Sequence, residues 1–169
     1  MQKLPPATEL IQQLVALMKP TITPNTVLVG IHTGGVWVAE ALHAALQLAT
    51  PLASIDVSFH RDDHHLGNGL KAAGRVSHLP DDVEGAHLIL VDDVLYTGRT
   101  IRAAIDVVFD YGRPAVVQLA VLVDRGHREL PIRPDYVGKN LPTALDERIS
   151  VRLEECDGVD EVVLVRKEA

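Results

Sequence analysis

Asp92 and Asp93, followed by Thr97, Gly98, Arg99 and Thr100, form the most chemically informative group in this 169-residue chain. Two adjacent carboxylates at the end of an apolar strand can accept hydrogen bonds from ribose hydroxyls or hold a hydrated magnesium ion. A threonine-glycine turn at a helix start adds free backbone N–H groups, two hydroxyls and the positive end of the helix dipole, which together suit a monophosphate. Gly98 lets the main chain approach such a ligand closely. Val94, Leu95 and Tyr96 bridge the acids and the turn and are counted with the same segment. The same string also fits a plain strand-to-helix connection with a cap.

These residues need elements to hold them. Leu88, Ile89, Leu90 and Val91 form a short branched run of the kind that fills the centre of a parallel sheet. Thr26 to Ile31 reads as a second buried strand, His32 to Gly35 as a tight turn, and Val36 to Leu48 as an alanine-rich helix. Leu10, Ile11, Leu14, Val15, Leu17 and Met18 recur at helical spacing, with Pro20 and Pro24 closing that helix. Leu52 to Phe59 alternates as a half-buried strand near an edge. Residues 61–85, with their glycines and charges and little periodicity, predict a mobile flap or extended hairpin. A helix from Thr100 to Tyr111 and a central strand from Ala115 to Val123 follow. Short runs at Tyr136-Val137, Ile149 to Leu153 and Glu161 to Val165 suggest closing strands. The pattern predicts an α/β fold of one domain over residues 1–169, a doubly wound, mainly parallel sheet with an added flap.

Composition narrows the function. A hydrophobic content of 47% supports a sizeable core. No apolar run reaches the roughly 18 residues of a membrane span, and MQKLPPATEL has no signal-peptide run, so a cytoplasmic protein is expected. Sixteen Lys and Arg against 23 Asp and Glu, a formal charge of −7, argue against sequence-blind nucleic-acid binding but leave room for a local basic patch. His64 and His65 lack a third metal ligand beside them and read as surface residues, so no metal site is assigned. Cys156, the single cysteine, carries no function here.

The string LILVDDVLYTGRT resembles the phosphoribosyl-pyrophosphate (PRPP) signature of type I phosphoribosyltransferases. Together with FHRDD and VDRGHRELPIRPDYVGKNLPT, it resembles the PyrR family, pyrimidine-operon regulators that double as uracil phosphoribosyltransferases. The resemblance covers roughly residues 26 to 155. It implies the type I fold with a flexible flap and a small hood, and a reaction of uracil with PRPP and Mg2+ that gives UMP and diphosphate. Asp92 and Asp93 would then be catalytic, bound to the ribose hydroxyls, and Val94 to Thr100 would bind PRPP or nucleotide. Thr33, Gly34 and Gly35 correspond to the pyrophosphate loop. Arg61, Asp62 and Asp63 at the base of the flap would meet magnesium and diphosphate on closure. Uracil is placed against Asp124, Arg125, Gly126, His127 and Arg128, although these arginines and Arg133 also suit salt bridges or a dimer interface. The family further implies a homo-dimer or tetramer and, as a partner, a pyrimidine-operon RNA; a regulatory protein is the other candidate partner.

One departure stands out. Family members usually carry K-T-R-G where this chain has His32-Thr33-Gly34-Gly35, so two cations beside the pyrophosphate are missing. The alternative reading is therefore a catalytically weak or inactive nucleotide sensor acting through a protein or RNA partner.

Overall fold

The computed structural model describes residues 4–58, 77–81 and 83–166. Helix α1 (Ala7–Met18) leads into a 3-10 turn, then β1 (Thr26–Ile31), α2 (Gly34–Leu46) and β2 (Ala53–Ile55). Strand β3 (His87–Leu95), helix α3 (Arg99–Asp110), β4 (Val116–Asp124) and β5 (Tyr136–Asn140) follow. The chain continues through β6 (Glu147–Arg152), the short α4 (Glu154–Asp157) and β7 (Glu161–Arg166).

β1 and β3 are buried over most of their length because Val, Leu and Ile cover both faces of the sheet. The sheet has the order β2-β1-β3-β4-β5, with every neighbouring pair parallel. On one face, Leu28, Ile89 and Val91 meet Leu10 and Leu14 of α1 and Val38, Ala39 and Leu42 of α2. On the other, Val29, Leu88 and Leu90 meet Ile101, Ala104 and Val108 of α3. Helices on both faces of a parallel sheet make the fold doubly wound, as the sequence implies.

β6 and β7 pair antiparallel as a separate two-stranded sheet, the hood. Leu153 and Val162 seat it in the α1 and α2 core. Asp160 adds a second tie: its carboxylate accepts the Thr8 N–H at 3.2 Å and the Thr8 hydroxyl, capping a helix whose N-cap, Pro6, offers no side-chain hydrogen bond.

Several boundaries differ from the sequence expectation. β3 runs on to Leu95, so the acids lie within the strand and not after it. β2 is only three residues long, because the Asp56 carboxylate takes the Ser58 N–H at 2.9 Å and turns the chain out of the ladder. α2 begins at Gly34, two residues earlier than expected, and ends where Gln47 turns left-handed at φ 53°. β5 belongs to the main sheet as a parallel edge strand, so of the expected closing runs only β6 and β7 form the hood.

Candidate functional site

β1 and β3 are the neighbours at which the winding direction reverses, and in open α/β sheets the crevice at that point receives ligands. Gly30 lies opposite Val91 and β1 ends one residue later. Beyond Val91, β3 therefore pairs only with β4, through Asp92 opposite Val121, Val94 opposite Val123 and Leu95 opposite Asp124. Strand alternation continues from Leu90 on the α3 side and Val91 on the α2 side, which sends the Asp92 and Asp93 side chains to opposite faces. Asp92 is buried, at 5% exposure. Asp93 holds the Val94 N–H at 2.8 Å through Oδ1.

The turn 32–35 fills the place that a longer β1 would occupy. The His32–Thr33 peptide is cis, and the His32 N–H donates to the Ile55 carbonyl at 2.9 Å. Two glycines then allow backbone to meet the acidic strand directly. A Cβ on Gly35 would fall 2.3 Å from the Val91 carbonyl oxygen and 3.0 Å from Asp92 Cα. A Cβ on Gly34 would fall 2.3 Å from Asp93 Oδ2.

After β3 the chain enters the phosphate-type turn. Gly98 is the N-cap of α3 with φ 92°, a left-handed conformation that glycine adopts without steric cost. The Arg99 N–H donates to Thr97 Oγ1 at 3.3 Å. A cavity of about 470 Å³ opens above, lined by residues 92–101 and by Arg125, Glu129 and Ile149. All nine residues from Asp92 to Thr100 singled out in the sequence thus share one cavity. The turn 33–35 is not part of that lining but abuts it from the Asp93 side.

The segment after β4 braces the turn from outside. The Leu95 carbonyl accepts the Arg125 N–H at 3.1 Å, and Tyr96 O accepts Arg128 Nη1 at 2.7 Å. Thr97 O accepts the N–H groups of Glu129 and Leu130 at 3.0 and 3.2 Å. Three consecutive carbonyls held this way fix the peptide planes of the turn before any ligand arrives.

Of the five residues expected on the uracil side, Arg125 alone lines the cavity. It is buried, at 6% exposure, with its guanidinium 4.0 Å from the Tyr96 ring centroid. Arg125 Nε donates to Thr143 Oγ1 at 3.0 Å, and Nη2 donates to the Glu147 carbonyl, so the side chain joins turn, sheet and hood. Asp124 accepts the Gly126 N–H at 3.0 Å and Arg128 Nη2 at 2.6 Å. Arg128 also donates to Ile132 O at 2.8 Å. His127, at φ 61°, places Nε2 2.5 Å from Thr143 O and meets the Tyr96 ring edge-on at 6.0 Å. Arg61, Asp62 and Asp63, with His64 and His65, lie outside the described residues.

Besides Ile101, which adjoins the predicted segment, sequence reasoning missed Glu129 and Ile149. Glu129 forms a 2.6 Å ion pair with Arg99 across the cavity mouth, with both side chains about half exposed. Ile149 reaches the cavity from β6 of the hood. No local pattern marks either, since each is defined by what the fold sets opposite it. Below Ile149, the Ala144 N–H and then Arg166 hold the Glu147 carboxyl below the ordinary carboxylate range. Cys156 is exposed, and desolvation and then the Asp157 charge push its thiol up, away from the reactive thiolate.

The comparisons with known proteins agree with this geometry. The phosphoribosyl transferase domain model matches residues 5–153. The chain is 51% identical over 152 residues to bifunctional protein PyrR 1 of Lactiplantibacillus plantarum, covering 85% of this chain and 83% of that one. It is 54% identical over 149 residues to bifunctional protein PyrR of Chloroflexus aurantiacus, covering 86% and 81%. In solved structures, the fold matches hypoxanthine phosphoribosyltransferase of Trypanosoma cruzi with a TM-score of 0.71 at 20% identity, over 99% of this chain and 98% of that one. The same enzyme in complex with the product IMP aligns with a TM-score of 0.69 at 21% identity, over 97% and 89%. With the acidic strand, the glycine turn and the braced phosphate-type loop in place, the chain belongs to the phosphoribosyl transferase domain family and, within it, to the PyrR family.

Proposed function

We propose that this protein transfers the phosphoribosyl group of PRPP to uracil, forming UMP and releasing diphosphate, and that nucleotide bound in the same cavity informs the regulation of pyrimidine genes. The observation that carries the reading is the arrangement of the turn 97–100, its carbonyls tied outward, beside Asp92 and Asp93 and the glycine turn 33–35. A 5′-phosphate fits the amides and hydroxyls of residues 97–100 at the α3 N-terminus. Asp92 and Asp93 take the ribose hydroxyls and oppose the positive charge that develops on the sugar ring. The C1′–O bond to diphosphate breaks as the C1′–N1 bond to uracil forms, and the N1 proton leaves uracil. Charge stabilisation and positioning supply the catalysis, with no side-chain nucleophile.

Asp92 and Asp93 suit magnesium as hard oxygen donors. Magnesium keeps several waters and is commonly held by one or two carboxylates together with substrate phosphate oxygens, a role two adjacent acids suit. Magnesium would neutralise the diphosphate as it departs.

A second reading, a nucleotide sensor with little turnover, draws on the H-T-G-G turn, which carries no lysine or arginine to meet diphosphate. One assay separates the two. Purified protein with uracil, PRPP and magnesium should yield UMP above a no-enzyme control. Absent product with intact calorimetric UMP binding would leave the sensor as the function.

A further inference from the structure

Arg125 is a buried cation that lines the cavity, and among the described residues it forms no ion pair. The carboxylates around it are committed elsewhere: Asp124 to Arg128, Glu129 to Arg99, and Glu147 to Arg166 and the Ala144 N–H. Neutral groups hold the guanidinium instead. Nε donates to Thr143 Oγ1, Nη2 donates to the Ala144 and Glu147 carbonyls, and the Tyr96 ring lies against its plane. Nη1 is left over. It has no hydrogen-bond partner among the described residues, and no buried side-chain nitrogen among them lacks one, so Nη1 is open to solvent. A guanidinium fixed by three bonds and a ring, with the two donors of Nη1 unspent in a cavity, is pre-organised for an acceptor that the ligand brings. Residues 97–100 suit the phosphate, Asp92 and Asp93 suit the ribose, and Glu129 stands at the mouth beside Arg99. Tyr96, Arg125 and Ile149 remain for the base.

We propose that Arg125 is a catalytic residue: it donates from Nη1 to a carbonyl oxygen of the pyrimidine and stabilises the negative charge that the ring acquires as its N1 proton leaves. This rests on the proposed transfer reaction. The N1–H bond breaks and its proton passes to water. Its electron pair forms the C1′–N1 bond as the C1′–O bond breaks, with that bond's pair departing on diphosphate. Charge from N1 spreads through the ring to the two carbonyl oxygens, so a cation held at either one binds more strongly as the proton goes. Arginine stays charged throughout and takes no proton itself.

Steady-state kinetics of the whole chain with uracil and with 5-fluorouracil, whose N1 proton is more acidic, tests the proposal. Arg125→Gln should lower kcat/KM for uracil about ten- to a hundredfold, the scale of a bond to a charged group. The loss should be at least about threefold smaller for 5-fluorouracil, whose anion needs less help, and KM for PRPP should stay within about twofold. An unchanged rate, equal losses for the two bases, or a loss seen only as a raised KM for PRPP would overturn the inference, the last two marking a purely structural tie to Thr143 and the hood. If Arg125→Gln melts well below the parent, the parent decides. With ribose 5-phosphate present, it should bind 5-nitrouracil as the anion, read from its longer-wavelength absorbance, at a pH where the free compound is neutral. A ring bound neutral, or not bound, overturns the inference. A parent chain that binds UMP but forms none from uracil and PRPP overturns the proposed reaction itself, and with it this role for Arg125.

Discussion

The turn 97–100 and the turn 33–35 border the same crevice but are built in opposite ways. The first is held from behind: Leu95, Tyr96 and Thr97 give their carbonyls to residues 125–130, and Gly98 supplies the left-handed step into α3. Its geometry is set before a ligand arrives. The second is tied at its ends, by the His32 N–H on the Ile55 carbonyl and the Val36 N–H on the Thr33 carbonyl, while its two glycines, Gly34 and Gly35, are pressed against the side chain of Asp93 and the backbone of Val91 and Asp92. A braced turn can bind through its own amides, whereas an abutting turn depends on what its neighbour presents. On the proposed function, the turn expected to meet phosphate and the turn expected to meet diphosphate should therefore differ in their tolerance to substitution.

The comparison can be broken most sharply at Gly35. Gly35→Ala drives a methyl group into the Val91 carbonyl, which as backbone cannot step aside, so chemical denaturation should show a loss of about 3 kcal/mol or no folded protein. A parent-like midpoint would mean that the start of α2 and β3 can part. Next comes the acidic pair. Asp92→Asn keeps the shape of a buried side chain and removes its charge, so UMP formation should fall about ten- to a hundredfold in kcat/KM, matching about 1.5–3 kcal/mol for a bond to a charged group.

Gly98→Ala probes the braced turn. It forces a side chain into the left-handed region, with its Cβ 3.0 Å from Ile132 Cγ1, and should cost about 1–2 kcal/mol in thermal unfolding while raising KM for PRPP. An alanine variant with unchanged KM would show that the turn does not hold the phosphate.

The smallest effect concerns the hood. The folded-state pKa of Glu147 is lowered, so its stabilising contribution is complete above the ordinary value of 4.5 and is lost as pH falls through the lowered one. The melting temperature of the parent should therefore exceed that of Glu147→Gln at neutral pH, and the two should converge in acid. A constant gap across the pH range would assign the difference to something other than charge.

Much of the site was legible in the chain because its signals are local. An apolar run into Asp92 and Asp93, then Thr97-Gly98 before a helical pattern, specifies strand, acids and turn without reference to distant residues. The roles of Arg125 and Arg128 were not legible. Both read as candidates for base contact or for salt bridges, and their guanidiniums also meet backbone carbonyls of residues distant in sequence, Glu147 and Tyr96 respectively, ties that no local pattern marks. Carbonyls left outside a ladder take donors from elsewhere, and which arginine meets which carbonyl depends on how the chain returns to itself. Strand boundaries slipped for the same reason: β3 extends through the acids because β4 lies beside them to complete the ladder.

By itself, then, the sequence determined the parallel strands, the doubly wound order and the acid-plus-turn segment, since hydrophobic period, glycine placement and helix-start chemistry act over a few residues. Only the tertiary structure decided that the β1 ladder with β3 ends at Val91, that Gly34 lies against Asp93, and that Ile149 of the hood lines the cavity. These are packing outcomes between segments far apart in the chain, and close packing in three dimensions leaves no mark on the spacing of residues along it.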